Sequence, residues 1–338
     1  MCHNVFNVNM RILITFIRFF VLIGIAVFIY WRLSIFIGRM KFMSVETAIN
    51  VIFLETSGNS LNLRQACAIE SAAVHHRRSP INVMILKDFD YVYGLTNRYS
   101  NIRLNRIDLN DISEGTPLEE WFRSKKWSKS KYSVTELSDA LRMLLIWKFG
   151  GMYLDLDIVV LRPVYAIKNF IIMQDKAYVN NAIFRFDQWH NFLYRCLLNF
   201  QKNYNETVWG STGPNLFTKI VKDYCKIESL KRLSAKNCDM DVLPEYAAFP
   251  IHYSKWQDYF RPPTSSLLNI LKESFAIHVW NNLSKNETIQ IGTGSVYETA
   301  MKENCPFIYE ILKKRKIIKA DCNLFRYVDD LQYMALTI

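Results

Sequence analysis

The chain has 338 residues, half of them hydrophobic and 14% aromatic, with 42 Lys and Arg against 31 Asp and Glu. That supply of apolar side chains is enough for a large packed core and excludes an intrinsically disordered or collagen-like chain. The formal charge of +11 admits nucleic acid, a membrane surface or an anionic substrate, but the one dense basic run, Lys313-Lys314-Arg315-Lys316, accompanies no nucleic-acid motif and reads as a solvated helix face.

In chain order, the first element is apolar. Residues 1–44 carry five basic side chains and no acid, and residues 12–37 are almost wholly apolar. The longest uncharged stretch, 19–31, is too short to cross a bilayer alone. Either flank supplies the missing length by including Arg18 or Arg32, whose stems can snorkel, so spans of 12–31 and 19–37 both stay open. The stretch exceeds a signal-peptide h-region and no A-x-A-like cleavage site follows, which favours an uncleaved transmembrane signal-anchor. The expected organisation is a cytosolic tail at 1–11, the anchor at 12–37, a short stem at 38–49 and one large lumenal domain at 50–338. The sequons at Asn205, Asn282 and Asn286 fit a lumenal, glycosylated domain. Seven cysteines without a C-x-x-C pair fit disulfides in an oxidising compartment, with Cys225 and Cys238 as the local pair.

Beyond the anchor, strands and helices alternate. Residues 51–54 form a short strand ending in Glu55-Thr56-Ser57, residues 61–76 a helix, and 81–86 and 102–107 two further strands. An irregular stretch runs to about Tyr132. Alternation of this kind implies an α/β fold with a largely parallel sheet, whose ligands bind beyond the carboxyl ends of the strands.

Residues 133–164 concentrate the chemistry. Ser133 and Glu136 read as a capping box opening a helix, which Gly150-Gly151 closes. A strand over 152–161 then carries Asp155 and Asp157, two apart and therefore on one side. Paired carboxylates in an apolar strand repel unless a divalent cation joins them, and oxygen ligands suit Mn²⁺ or Mg²⁺. Asp139 and Arg142, three apart, share a helix face, either as a surface ion pair or as hydrogen-bonding groups for sugar hydroxyls and phosphate.

The string Ser138-Asp139-Ala140-Leu141-Arg142 followed by Gly150-Gly151-Met152-Tyr153-Leu154-Asp155-Leu156-Asp157 resembles the D-x-D region of Golgi sugar-nucleotide glycosyltransferases. Closest in pattern is the α-1,4-glycosyltransferase family, that of the lactosylceramide 4-α-galactosyltransferases (globotriaosylceramide synthases). Phe53-Leu54-Glu55-Thr56-Ser57, Ile69-Glu70-Ser71-Ala72-Ala73, Thr116-Pro117-Leu118, Trp209-Gly210 with Gly213-Pro214, and Ala276-Ile277-His278-Val279-Trp280-Asn281 match in the same order, over about residues 50–310.

The resemblance implies a GT-A-type, Rossmann-like nucleotide-sugar fold with a mixed, mostly parallel sheet in a single-pass type II Golgi membrane protein. It implies metal-dependent, retaining transfer of galactose or N-acetylgalactosamine from UDP-galactose or UDP-N-acetylgalactosamine in α-1,4 linkage to a glycosphingolipid. Asp155 and Asp157 would hold Mn²⁺ (or Mg²⁺) on the UDP diphosphate, with His278 as third ligand. Asp139, Arg142 and Asn181 (or its neighbour Asn180) would contact the donor sugar, Glu55, Thr56 and Ser57 would border the nucleotide, and Gly213 would let backbone approach the sugar or simply make a turn. Together with the two metal-binding acids, Arg142 would stabilise charge on departing UDP. Ser211-Thr212 departs from the galactosyltransferase pattern, which leaves the donor sugar open between galactose and N-acetylgalactosamine. Trp121, Trp127 and Trp256 are candidates for acceptor contact or for core packing. Two rival readings are a non-catalytic lumenal binding module of the same fold, and an aspartate-dependent phosphatase in which Asp155 is the nucleophile.

Overall fold

Val51–Glu55 (β1) is apolar until its last residue and buried throughout, as a central strand covered on both faces must be. It pairs in parallel with Ile81–Ile85 (β2) on one side and with Gly151–Leu154 (β4) on the other, and β2 pairs in parallel with Ile102–Arg106 (β3). The chain thus winds outward from β1 to β3, then returns across β1 to β4. Beyond β4 the sheet turns antiparallel through Val179–Phe186 (β7) and Phe170–Met173 (β6), and Asp241–Leu243 (β8) closes the far edge parallel to β6. The resulting order is β3-β2-β1-β4-β7-β6-β8, a mixed, mostly parallel sheet of seven strands, in keeping with the largely parallel sheet that the alternation implies and the mixed one that the resemblance implies. A separate two-stranded ribbon pairs Ile158–Val160 (β5) antiparallel with Ala276–His278 (β9).

This computed structural model describes residues 48–58, 60–88, 94–208, 211–233 and 238–321. The expected tail and anchor (1–37) and most of the stem lie outside the described residues, as do Trp209, Gly210 and Cys322. Among the described residues, no helix is long and apolar enough to cross a membrane.

One face of the sheet is covered by Leu63–His75 (α1), together with the β5–β9 ribbon and the C-terminal helices Val296–Asn304 and Pro306–Asp321. The other is covered by Ser133–Phe149 (α2), Asn191–Asn203 (α3) and Pro214–Cys225 (α4). Cys67 of α1 is bonded to Cys305 and Cys225 to Cys238, the second as expected from the sequence. Glu70 of α1 is buried, and its carboxylate accepts the Phe307 and Ile308 N–H groups at 2.9 Å, satisfying orphan donors at the start of the last helix.

Three local expectations need correction. Ser133 and Glu136 form no capping box. Tyr132 precedes α2 without a side-chain cap, and Glu136 instead accepts from the Ser130 and Tyr204 hydroxyls. The strand over 152–161 is two strands, broken at 155–157 by a turn in which Ile158 N–H bonds Asp155 C=O at 3.0 Å. The stretch before Tyr132 is not irregular, for it folds into the short helices Leu109–Ser113, Glu119–Ser124 and Lys126–Lys129, too brief to show periodicity. All three tryptophans pack against the core, Trp121 being buried between Phe122, Phe200 and Tyr204.

Candidate active site

β1 and β4 are neighbours, but from β1 the chain continues to β2 on one flank of the sheet and from β4 toward β7 and β6 on the other, and it is beyond the carboxyl ends of strands at such a switch point that α/β proteins bind ligands. Asp155 and Asp157 occupy the turn that leaves β4. The β5–β9 register sets Ile158 opposite His278, which brings the histidine beside the pair. One ligand atom from each of Asp155, Asp157 and His278 lies within 4.8 Å of the other two. Two carboxylate oxygens and an imidazole nitrogen are a donor set suited to Mn²⁺ or Mg²⁺, and this chain therefore fits the metal its motif implies. His278 Nε2 is 3.1 Å from Asp157 Oδ1, while the buried Nδ1 has no hydrogen-bond partner among the described residues.

Each acid is gripped by a different part of the fold. Asp155 Oδ1 accepts from the Tyr153 hydroxyl at 2.5 Å and lies 3.1 Å from Arg142 Nη2. Arg142 is itself enclosed, donating to Asn181 C=O at 2.9 Å and to Ser138 Oγ at 2.9 Å, with its guanidinium 4.7 Å from the Tyr153 ring centre. Asp157 Oδ2 accepts the Asn281 N–H at 2.7 Å, and its backbone C=O accepts Val279 N–H at 3.0 Å. Burial pushes the Asp155 carboxyl above its usual range, against the pull of Arg142 and helped by the charge of Asp157. Burial acts on Asp157 in the same sense, but His278 and the Asn281 N–H outweigh it and hold that carboxyl below its usual value. Two neighbouring acids are thereby pushed apart, the sign of a site built around charge.

Asp139 and Arg142 do not form a surface pair; both are buried. Asp139 Oδ1 accepts from Asn181 Nδ2 at 2.9 Å and lies 3.5 Å from Arg142 Nη2, while Oδ2 accepts from the Thr212 hydroxyl at 2.8 Å. Gly213 is pressed against this group, and a Cβ there would fall 2.9 Å from Asp139 Oδ2 and 3.3 Å from Asn181 Nδ2. The neighbouring Asn180 turns elsewhere, to Gln174 and the Ala182 N–H. Glu55 ends β1 with its carboxylate turned onto the following loop, accepting from Ser57 N–H and Gly58 N–H at 2.9 Å and from the Ser57 hydroxyl. Thr56 Oγ1 donates to Val134 C=O at the start of α2.

The structure thus joins Asp139, Arg142, Asp155, Asp157, Asn181, Gly213 and His278 in one network, with Glu55, Thr56 and Ser57 on the neighbouring strand end. Asn205, Asn282 and Asn286 are exposed. Sequence reasoning overlooked Tyr153 and assigned no role to the Thr212 hydroxyl. The period-2 alternation of β4 offered a signal for Tyr153, since it sets Tyr153 and Asp155 on one side; nothing in the sequence pointed Thr212 at Asp139.

Known proteins resemble this chain over most of its length. Residues 185–312 match the family model described as the alpha 1,4-glycosyltransferase conserved region, and residues 63–178 the glycosyltransferase sugar-binding region containing DXD motif. The lactosylceramide 4-alpha-galactosyltransferase of Mus musculus is 32% identical over 286 residues, covering 81% of this chain and 79% of that protein. The alpha-1,4-N-acetylglucosaminyltransferase of Homo sapiens is 30% identical over 279 residues, covering 78% and 81%. Among solved structures, the glycosyltransferase GlyE of Streptococcus pneumoniae TIGR4 aligns with TM-score 0.43 and 12% identity over 79% of this chain and 64% of that one.

Proposed function

The chain belongs to the α-1,4-glycosyltransferase family, and we propose that it is a retaining, metal-dependent hexosyltransferase of the Golgi membrane. In this reading it transfers galactose or N-acetylgalactosamine from a UDP-sugar in α-1,4 linkage to a glycosphingolipid. It is anchored as a single-pass type II protein, with Asn205, Asn282 and Asn286 as glycosylation sites. One observation carries the reading: Asp155, Asp157 and His278 converge at the carboxyl end of β4, with Arg142 behind them. One relative is named for galactose transfer to lactosylceramide and another for N-acetylglucosamine, so UDP-N-acetylglucosamine joins the other two donors as a substrate to test.

Bound by Asp155, Asp157 and His278, Mn²⁺ or Mg²⁺ would supply positive charge beside the diphosphate of the donor. The chain's own groups do the rest. Tyr153 and Arg142 fix the Asp155 carboxylate from the protein side, and the Asn281 N–H fixes Asp157. Arg142 also lends a permanent charge to a region where negative charge grows on departing UDP. Both oxygens of Asp139 accept hydrogen bonds, from Asn181 and Thr212, which fits a positioning role for this acid rather than that of nucleophile. In this reading the acceptor hydroxyl attacks on the face that UDP leaves, which retains the configuration without a covalent intermediate.

The test uses the full chain in detergent with each of the three UDP-sugars, a set of glycosphingolipids, and Mn²⁺ or EDTA, followed by determination of the product linkage. An α-1,4 product that EDTA abolishes is expected. UDP-sugar binding without transfer or hydrolysis would favour the non-catalytic module, and a trapped phosphoryl group on Asp155 would favour the phosphatase.

A further inference from the structure

Arg142 stands between two acids and is closer to the more distant in sequence. Its Nη2 is 3.1 Å from Asp155 Oδ1 but 3.5 Å from Asp139 Oδ1, although Asp139 lies one helical turn away on the same helix. Helix geometry alone favours closing the pair three residues apart. What stands against it is the neutral company Asp139 keeps. The Asn181 amide occupies Oδ1 at 2.9 Å, and the hydroxyl of the buried Thr212 occupies Oδ2 at 2.8 Å. Gly213 holds this loop close, since its missing Cβ would meet Oδ2 at 2.9 Å.

We propose that Thr212 is a positioning residue: by donating to Asp139 Oδ2, its hydroxyl keeps the Arg142 guanidinium on Asp155. The inference rests on the glycosyltransferase reading and deepens it by naming a residue that acts through two others. Without the hydroxyl, Oδ2 becomes a buried, charged oxygen lacking its donor, which is unfavourable. The guanidinium already beside Oδ1 then turns toward Asp139, where a two-pronged contact satisfies both oxygens. Asp155 is left to Tyr153 alone and loses the charge that holds it in place.

Thr212→Val keeps the shape and removes the hydroxyl; Thr212→Ser keeps the hydroxyl; Thr212→Ala removes it without bulk, should Val prevent folding. In the full chain, the Val or Ala variant is expected to lower kcat for transfer tenfold or more while donor KM moves less than threefold. Ser stays within twofold of the parent on both. In a double-mutant cycle with Asp139→Asn, the combined loss falls well short of the product of the two single losses. A crystal structure of the metal-free Val or Ala variant shows Arg142 facing Asp139. Arg142 still on Asp155, an equal loss in the Ser variant, or a fully multiplicative cycle overturns the proposal. If the parent transfers no sugar, the functional reading fails on its own, while the position of Arg142 in the variant still decides this one.

Discussion

His76 follows α1, fully buried, and its ring bridges two backbone groups. Nδ1 lies 3.3 Å from Ala72 C=O, and Nε2 lies 3.3 Å from the Val164 N–H. Only the neutral ring satisfies both: Nδ1–H donates to the carbonyl and the Nε2 lone pair accepts from the amide. Burial depresses its pKa from 6.5 to about 4, with His75 and Arg185 pushing the same way and the Ala72 carbonyl opposing. The sign follows from linkage. Below pH 6.5 the unfolded chain takes up a proton that the folded chain declines, so the contribution is full above 6.5 and is lost as pH falls toward 4. At 1.36 kcal/mol per pH unit, that interval amounts to about 3 kcal/mol. Urea unfolding of the parent and of His76→Gln, from pH 7 to 4.5, measures it. Gln can make both hydrogen bonds without titrating, so its stability should fall less steeply. Burial also lowers His75 and His190, which gives both proteins a common background slope, and only the difference between the curves counts. Parallel curves would refute the assignment. Because Val164 follows β5, which begins next to Asp157, transfer activity should fade over the same interval.

The remaining predictions concern the site and its supports. Asp157→Asn keeps an acceptor for the Asn281 N–H but weakens the ligand set, so transfer should fall a hundredfold or more while the secondary-structure spectrum in EDTA is retained; near-normal turnover would remove Asp157 from the metal site. Arg142→Gln leaves Asp139 and Asp155 without their cation and should cost about 3–5 kcal/mol in denaturant unfolding, unlike a surface pair. Gly213→Ala drives a Cβ against Asp139, and should cost about 1–3 kcal/mol together with most activity, read from thermal unfolding and transfer assays. Replacing Cys67 and Cys305 by Ala opens a link of sequence separation 238 and should cost about 2–5 kcal/mol by urea unfolding in the oxidised protein.

The parts of this molecule that could be read in advance are those whose cause is local. β1, β2 and β3 are short apolar or alternating runs bounded by polar residues, and they fold within a residue or two of where the pattern puts them. Asp155 and Asp157 announce themselves because two acids are out of place beside apolar strands. The capping box failed for a tertiary reason: Glu136 is drawn to Ser130 and Tyr204, partners that local spacing cannot reveal. For Asp139 and Arg142 the spacing left a surface pair and a binding pair both open, because spacing carries no information on what covers a helix face. β7 and the loop of Thr212 and Gly213 bury that face, and both arrive from elsewhere in the chain.

The break after β4 explains how two neighbouring acids come to behave differently. Had residues 152–161 run on as one strand, both carboxylates would share one environment and both would suffer the same desolvation. Instead the chain leaves the seven-stranded sheet at Leu154 and enters the two-stranded ribbon at Ile158, so the pair straddles two structural units. Asp155 is held from the sheet side by Tyr153 and Arg142, and Asp157 from the ribbon side by His278, Val279 and Asn281. Leu156 between them is packed against the core, and the Ile158 N–H to Asp155 C=O bond ties the turn. The spacing of the two carboxylates is therefore set by this turn rather than by the pleat of a strand. Leu156→Gly should test that: it removes the anchor of the turn while leaving every proposed ligand in place, so metal affinity by titration calorimetry should fall while the secondary-structure spectrum is retained. Unchanged affinity would mean that the sheet and the ribbon hold the two acids in register without the turn.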